Sequence, residues 1–141
     1  MFHAFRHFLT CRFLCVLYFE KLLLLHPWHF FPRFYTKLEL IDLSHNKIVA
    51  VQDSSFTRSF NLKKLNLEGN KISKVTNETF AGLSKLQSLS LRKNEIVSLP
   101  AGAFSSNVPS LVGLDLSGNR ITEISNAAFD GGFSGRNSER S

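Results

Sequence analysis

Cysteine, tryptophan and tyrosine are scarce in this chain of 141 residues: there are 2 Cys, 1 Trp and 2 Tyr, and none lies beyond residue 35. Past that point there are no thiols for a metal centre and none of the Trp and Tyr anchors that dominate strong protein hot spots. Charge-free apolar runs of membrane-spanning length are missing too. In the window 13–31, Glu20 and Lys21 interrupt the run at a cost of about 5–6 kcal/mol on the insertion scale, and a polytopic membrane protein is excluded. Glycine is sparse, with 8 residues, and its clusters GAFSSN and DGGF lack the lysine and the spacing of a phosphate-binding loop. The length excludes a multidomain enzyme. A hydrophobic content of 43% with 20% charged residues excludes global disorder.

What is abundant is positive charge and phenylalanine, with a net charge of +6 and 14 Phe. Both are unevenly placed. Residues 1–37 carry Arg6, Arg12, Lys21, Arg33 and Lys37 against Glu20 alone, so +4 of the excess lies there, with eight of the Phe and four of the 5 His. The same segment has no Gly, Ser, Asn, Asp, Gln or Ile. Such a composition shift marks a boundary at residue 37. Residues 38–130 hold ten Lys or Arg and nine Asp or Glu, and form no phosphate-tracking stripe, so no nucleic-acid partner is expected. His3, His7, Cys11 and Cys15 recur every four residues. Along a helix they would span about 18 Å, too far for one tetrahedral zinc, and no metal site is expected.

Beyond residue 37 the sequence repeats itself. LELIDLSHNKI begins at residue 38, LKKLNLEGNKI at 62, LQSLSLRKNEI at 86 and LVGLDLSGNRI at 111, giving periods of 24, 24 and 25 residues. Each copy has apolar residues at its first, fourth and sixth positions, an Asn at the ninth (Asn46, Asn70, Asn94, Asn119) and an Ile at the eleventh. An aliphatic residue follows at Val51, Val75, Leu99 and Ile124, then Phe56, Phe80, Phe104 and Phe129. The LxL alternation has the period of 2 of a strand with one buried face. Chain reversal every 24 residues stacks such strands in parallel, centred near 40–44, 64–68, 88–92 and 113–117. No single copy can bury its apolar face, so a core forms only by stacking. The four Asn fall where the chain leaves the strand, and amides there can hydrogen-bond the turn backbone inside the solenoid. The four Phe form a column under the convex side.

The pattern LxxLxLxxNxI with its later Phe resembles the leucine-rich repeat family, in the 24-residue form of extracellular proteins such as Toll-like receptors, Slit and chaoptin. The resemblance spans residues 38 to about 133, in units 38–61, 62–85, 86–110 and 111–133. It implies an α/β solenoid: an arc of about four short parallel strands with irregular or 3-10 convex returns. It also implies that a site, if present, lies on the concave strand face. The positions that point away from the core there include Asp42, Ser44, His45, Lys64, Asn66, Glu68, Ser90, Arg92, Lys93 and Asp115, with Leu40, Ser88, Gly69, Gly113, Ser117 and Gly118 between them. The face is small, polar and of mixed sign. It reads either as a solvated face making a partial interface or as a ligand site centred on Lys64, Glu68, Arg92 and Lys93. Asp42, Ser44 and His45 contain the residue types of a catalytic triad, but His45 points differently from Ser44 and no oxyanion hole accompanies them, so no catalytic residues and no cofactor are expected.

The function implied is that of a non-enzymatic protein-binding module of a cell-surface or secreted receptor- or adhesion-type protein. An intracellular leucine-rich repeat scaffold or regulatory subunit and a truncated, non-functional fragment are the alternatives. The sequon Asn77-Glu78-Thr79 is a glycosylation acceptor compatible with secretion, although about 1.6 sequons arise by chance in this composition. Segment 1–37 is open to three readings: a degraded signal peptide, a membrane anchor, or translated noncoding sequence. The family closes its arrays with cysteine-bearing caps, whereas both Cys here lie in 1–37 and residues 134–141 form a polar tail. A fragment of a longer ectodomain is therefore expected, with membrane association only through an N-terminal anchor or a missing C-terminal part.

Overall fold

The computed structural model describes residues 39–104 and 107–130. Segment 1–37 with His3, His7, Cys11 and Cys15, the first repeat leucine Leu38, and the tail 134–141 lie outside the described residues. Four strands, β1 (Leu40–Asp42), β2 (Lys64–Asn66), β3 (Ser88–Ser90) and β5 (Gly113–Asp115), form one parallel sheet in the order β1-β2-β3-β5. The register is constant: Ile41, Leu65, Leu89 and Leu114 stand in one row across the sheet. Two shorter strands, β4 (Ser98–Leu99) and β6 (Glu123–Ile124), pair in parallel on the return path. The other returns are irregular turns, with no helix among the described residues. This second sheet has no signal in the repeat pattern beyond the aliphatic residue it contains.

The strands are shorter than the sequence period suggests, three residues each, and occupy the first half of the expected spans. A side chain ends three of the four. Asp42 Oδ1 accepts from Ser44 N–H at 2.9 Å, Asn66 Oδ1 from Glu68 N–H at 3.1 Å and Asp115 Oδ1 from Ser117 N–H at 2.9 Å. These are Asx turns, in which a short polar side chain replaces the next ladder bond. The eighth position of every repeat has left-handed backbone, with φ of 57° at His45, 68° at Gly69, 52° at Lys93 and 70° at Gly118. Hydrogen bonding between repeats nevertheless continues past the strands, as in Leu43 N–H to Asn66 O, Leu67 to Ser90 and Leu91 to Asp115, each 2.8 Å.

The core is a set of columns, one residue per repeat. Leu62, Leu65, Leu67, Ile72, Val75 and Phe80 of the second repeat and Leu86, Leu89, Leu91, Ile96, Leu99 and Phe104 of the third are all buried. Their counterparts Ile41, Ile48 and Val51 in the first repeat, and Leu114, Leu116, Ile121 and Phe129 in the fourth, are only partly buried. The inner repeats are covered on both sides, so stacking, and not the fold of any one repeat, removes apolar surface from water. Three of the four Phe rings stack: Phe80 and Phe104 have centroids 5.8 Å apart and planes at 19°, Phe104 and Phe129 5.7 Å and 14°, while Phe56 is buried in the same core. A further column, Ser59, Leu83 and Val108, lies three residues before each new repeat, and its carbonyls accept from Leu62, Leu86 and Leu111 N–H. Gly82 lets the backbone pass there at φ 90°, where an added Cβ would lie 2.5 Å from Thr57 Cα.

Replacing Phe80 by Ala removes a ring packed between repeats and is expected to cost about 3–5 kcal/mol. Phe129→Ala, at a partly exposed ring, should cost less. Urea unfolding of the two variants checks the order; equal losses would contradict a column that is tightest at its centre.

Candidate functional site

The concave face is built from residues whose neighbours are fixed by the parallel register. Across it run a third-position row of Leu40, Lys64, Ser88 and Gly113 and a fifth-position row of Asp42, Asn66, Ser90 and Asp115. At the strand ends follow Ser44, Glu68, Arg92 and Ser117, then His45, Gly69, Lys93 and Gly118. Leu40, Asp42, Lys64, Leu65, Asn66, Glu68, Ser88 and Ser90 line a shallow concavity of about 300 Å³ over β1 to β3.

Several predicted face residues serve their own chain. Asp42, Asn66 and Asp115 close the Asx turns described above. Ser44, expected to face outward, is buried, with 4% of its surface exposed. Its N–H is held by Asp42 and its carbonyl accepts from Asn46 Nδ2 at 3.1 Å, which ties this short residue into the turn. Its counterpart Ser117 swings its hydroxyl onto Asp115 Oδ1 at 2.6 Å and stays exposed. His45 and Lys93 occupy the left-handed position, and their side chains lie over the glycines of the next repeat. A Cβ on Gly69 would come within 2.6 Å of His45 Nδ1, and one on Gly118 within 3.3 Å of Lys93 Cγ. Asp42, Ser44 and His45 therefore assemble a turn and not a triad. The signals were in the sequence: an Asx-turn spacing, Asp or Asn two residues before a turn N–H, and glycine at the eighth position of two repeats.

Beneath the face runs the asparagine ladder. Asn70 Nδ2 donates to Leu43 O at 3.0 Å and Leu67 O at 2.9 Å, and its Oδ1 accepts from Ile48 N–H at 3.1 Å. Asn94 repeats this with Leu67 O, Leu91 O and Ile72 N–H, and Asn119 with Leu91 O, Leu116 O and Ile96 N–H. Asn46 donates to Leu43 O within its own turn at 2.8 Å. Asn70, Asn94 and Asn119 thus each bridge two repeats, and Asn70 and Asn94 are buried out of a ligand's reach.

The charges that remain form a small mixed cluster. Glu68 Oε1 lies 3.8 Å from Arg92 Nε and 3.7 Å from Lys93 Nζ. At this exposure such pairs contribute less than about 1 kcal/mol each. The Ser117 hydroxyl, then its backbone N–H, and to a lesser degree the charge of Arg92 hold the Asp115 carboxyl below the ordinary aspartate value of 3.8. On the return path Asn77 is exposed, and its carbonyl accepts from Asn107 Nδ2. Thr79 of the sequon is buried and its Oγ1 accepts from Thr76 N–H at 2.8 Å, while Thr76 Oγ1 donates to Asp53 Oδ1 at 2.5 Å. This Asp53–Thr76–Thr79 tie between the first two repeats has no counterpart in the sequence reading.

The Leucine rich repeat family model matches residues 36–96 and 84–132. The chain belongs to the leucine-rich repeat family. Seventy chains of solved structures resemble these leucine-rich repeats. One, from a complex of TLR13 with ssRNA13, is 31% identical with a TM-score of 0.65 over 68% of this chain. The chain spans 13% of the length of that TLR13 chain. No curated protein matches it.

Because Asp115 titrates below 3.8 in the folded state, its ionised form contributes stability above that value, and the contribution is lost as pH falls through the lower, folded-state pKa. Ser117→Ala removes the largest cause and should move the Asp115 carboxyl titration, followed by NMR, up toward 3.8. An unchanged titration would contradict the role of the hydroxyl.

Proposed function

We propose that these repeats are a non-enzymatic protein-binding module of a receptor- or adhesion-type protein acting at the cell surface or in the extracellular space. The observation that carries this reading is the continuous concave face: four strands in one register present exposed side chains side by side over a shallow concavity, not a cleft. Parallel strands about 4.8 Å apart offer an extended segment a new contact at every repeat. The reading is also supported by the likeness to TLR13, a receptor whose solved complex contains ssRNA13. For the present chain a protein ligand is favoured over RNA. Among its described residues the face carries no Phe, Tyr or Trp on which bases could stack, and its cations alternate with Asp42, Glu68 and Asp115.

The full chain, immobilised and exposed to cell-surface and secreted proteins, should retain a partner, and a variant with Lys64, Glu68, Arg92 and Lys93 reversed in charge should lose it. Equal capture by both removes the concave-face assignment. Expression in secreting cells tests the compartment: a glycan at Asn77, read as a mobility shift on enzymatic deglycosylation, is expected of a secreted or surface protein. A secreted product bearing no glycan there removes the modification from the proposal, and retention in the cytosol favours an intracellular scaffold.

A further inference from the structure

The threonine of the sequon Asn77-Glu78-Thr79 has a second occupation in the fold. Asn77 is exposed, whereas Thr79 keeps only 1% of its surface in contact with solvent. Its hydroxyl oxygen accepts from Thr76 N–H at 2.8 Å, and Thr76 Oγ1 at 3.0 Å and Asp53 Oδ1 at 3.5 Å lie within reach of its proton. The donor and acceptor capacity of the hydroxyl are therefore both used inside the array. Packing does not demand a hydroxyl at this place, since Ala103 and Ala128 fill the equivalent positions of the third and fourth repeats, fully buried. The rest of the sequon is held from both neighbouring repeats. Glu78 O accepts from Ser54 N–H of the first repeat at 3.1 Å, and Asn77 O accepts from Asn107 Nδ2 of the third. Within the turn, Glu78 N–H donates to Thr76 Oγ1 at 3.1 Å.

We infer that the fold gates the modification of Asn77: the acceptor is open only while the first repeat is undocked from the second, and Asp53, in the first repeat, is the residue that closes it. This rests on the reading of Asn77 as a glycan acceptor and adds its regulation. Transfer joins Asn77 Nδ2 to the first carbon of the sugar, breaks the bond from that carbon to the phosphate of a lipid-diphosphate-linked oligosaccharide, and releases the lipid diphosphate with the proton lost from the amide. The acceptor is specified as Asn-x-Ser/Thr, so the transferring enzyme must read the hydroxyl at the third position. In the stacked array that hydroxyl is reached only by breaking its bond to Thr76 and uncovering its side chain. Asp53 draws the tie shut from the first repeat, because its Oδ1 accepts from Thr76 Oγ1 at 2.5 Å and so holds the turn that carries Thr79. A glycan already attached starts from an exposed residue and leaves the tie free to form. Modification followed by stacking is therefore open, and the reverse order is blocked.

The test adds the full chain, made without glycan in a bacterial cytosol and folded, to detergent-solubilised microsomal membranes with lipid-linked oligosaccharide, beside a blocked peptide of residues 74–83. Mass spectrometry follows occupancy of Asn77 with time. The folded chain should be modified about tenfold more slowly than the peptide, the population change that one broken buried hydrogen bond represents. Asp53→Ala should recover much of this rate, whereas Asp53→Asn, which keeps an oxygen acceptor for Thr76, should stay slow. Phe129→Ala loosens the far end of the array without touching the tie and should stay slow as well; amide spectra show whether each variant is folded. In secreting cells, where modification and folding compete, Asp53→Ala should raise the occupied fraction above that of the unaltered chain. Equal rates for the folded chain and the peptide, an Asp53→Ala variant no faster than the unaltered chain, or a Phe129→Ala variant as fast as Asp53→Ala overturns the inference while Asn77 remains an acceptor. If the peptide is not modified either, the acceptor reading falls with it.

Discussion

Every repeat in this chain leaves main-chain groups that only the next repeat can pair, and the asparagine at the ninth position makes that dependence specific. Its amide donates into its own turn and the turn before it, while its oxygen accepts the Ile N–H of the preceding repeat. Removing such a side chain from the interior leaves buried donors and acceptors unpaired, at about 1–3 kcal/mol for each. Leu, Val or Phe in the core columns can be exchanged for another apolar residue of similar volume at smaller cost. An apolar residue offers neither the donor nor the acceptor that the asparagine amide supplies on its two sides. The buried leucines provide the bulk of the driving force, but the amide ladder fixes how far one repeat lies from the next, and so fixes the register of the concave strands.

That register determines what the face can do. The parallel pairing puts Leu40, Lys64, Ser88 and Gly113 in one row and Asp42, Asn66, Ser90 and Asp115 in the next. The second row is largely consumed in ending the strands, since three of its four side chains accept a turn N–H. His45 and Lys93, beyond it, shield glycines of the following repeat. A face that looks densely polar in sequence is therefore mostly a set of turn closures seen from outside. Lys64 and its neighbours are what the scaffold leaves uncommitted.

The ends of the array behave differently from its middle for the same reason. Ile72 and Ile96 are fully buried, whereas Ile48 and Ile121, at equivalent positions in the outer repeats, are only partly so. Ile124, in β6, is 57% exposed where Leu99 beside it is buried. At these positions burial depends on a neighbour on each side, whereas Leu43, Phe56 and Leu111 are buried in the outer repeats as well. The Asp53–Thr76–Thr79 bonds add a second kind of tie, a polar one on the outer surface between the first two repeats.

The repeat period, the apolar columns from Leu62 to Phe104, the inward Phe positions and the four asparagines were determined by the sequence alone. They recur at fixed spacing, and a solenoid has one way to bury such a pattern. The short length of the strands, the pairing of β4 with β6 and the split of the polar face into turn-closing and free side chains were decided only by the tertiary structure. Asp42 and Lys64 both read as outward polar residues on a strand. Whether an outward side chain bends back to its own backbone or stays available depends on which N–H groups the neighbouring repeat leaves unpaired, and that is settled when the repeats stack.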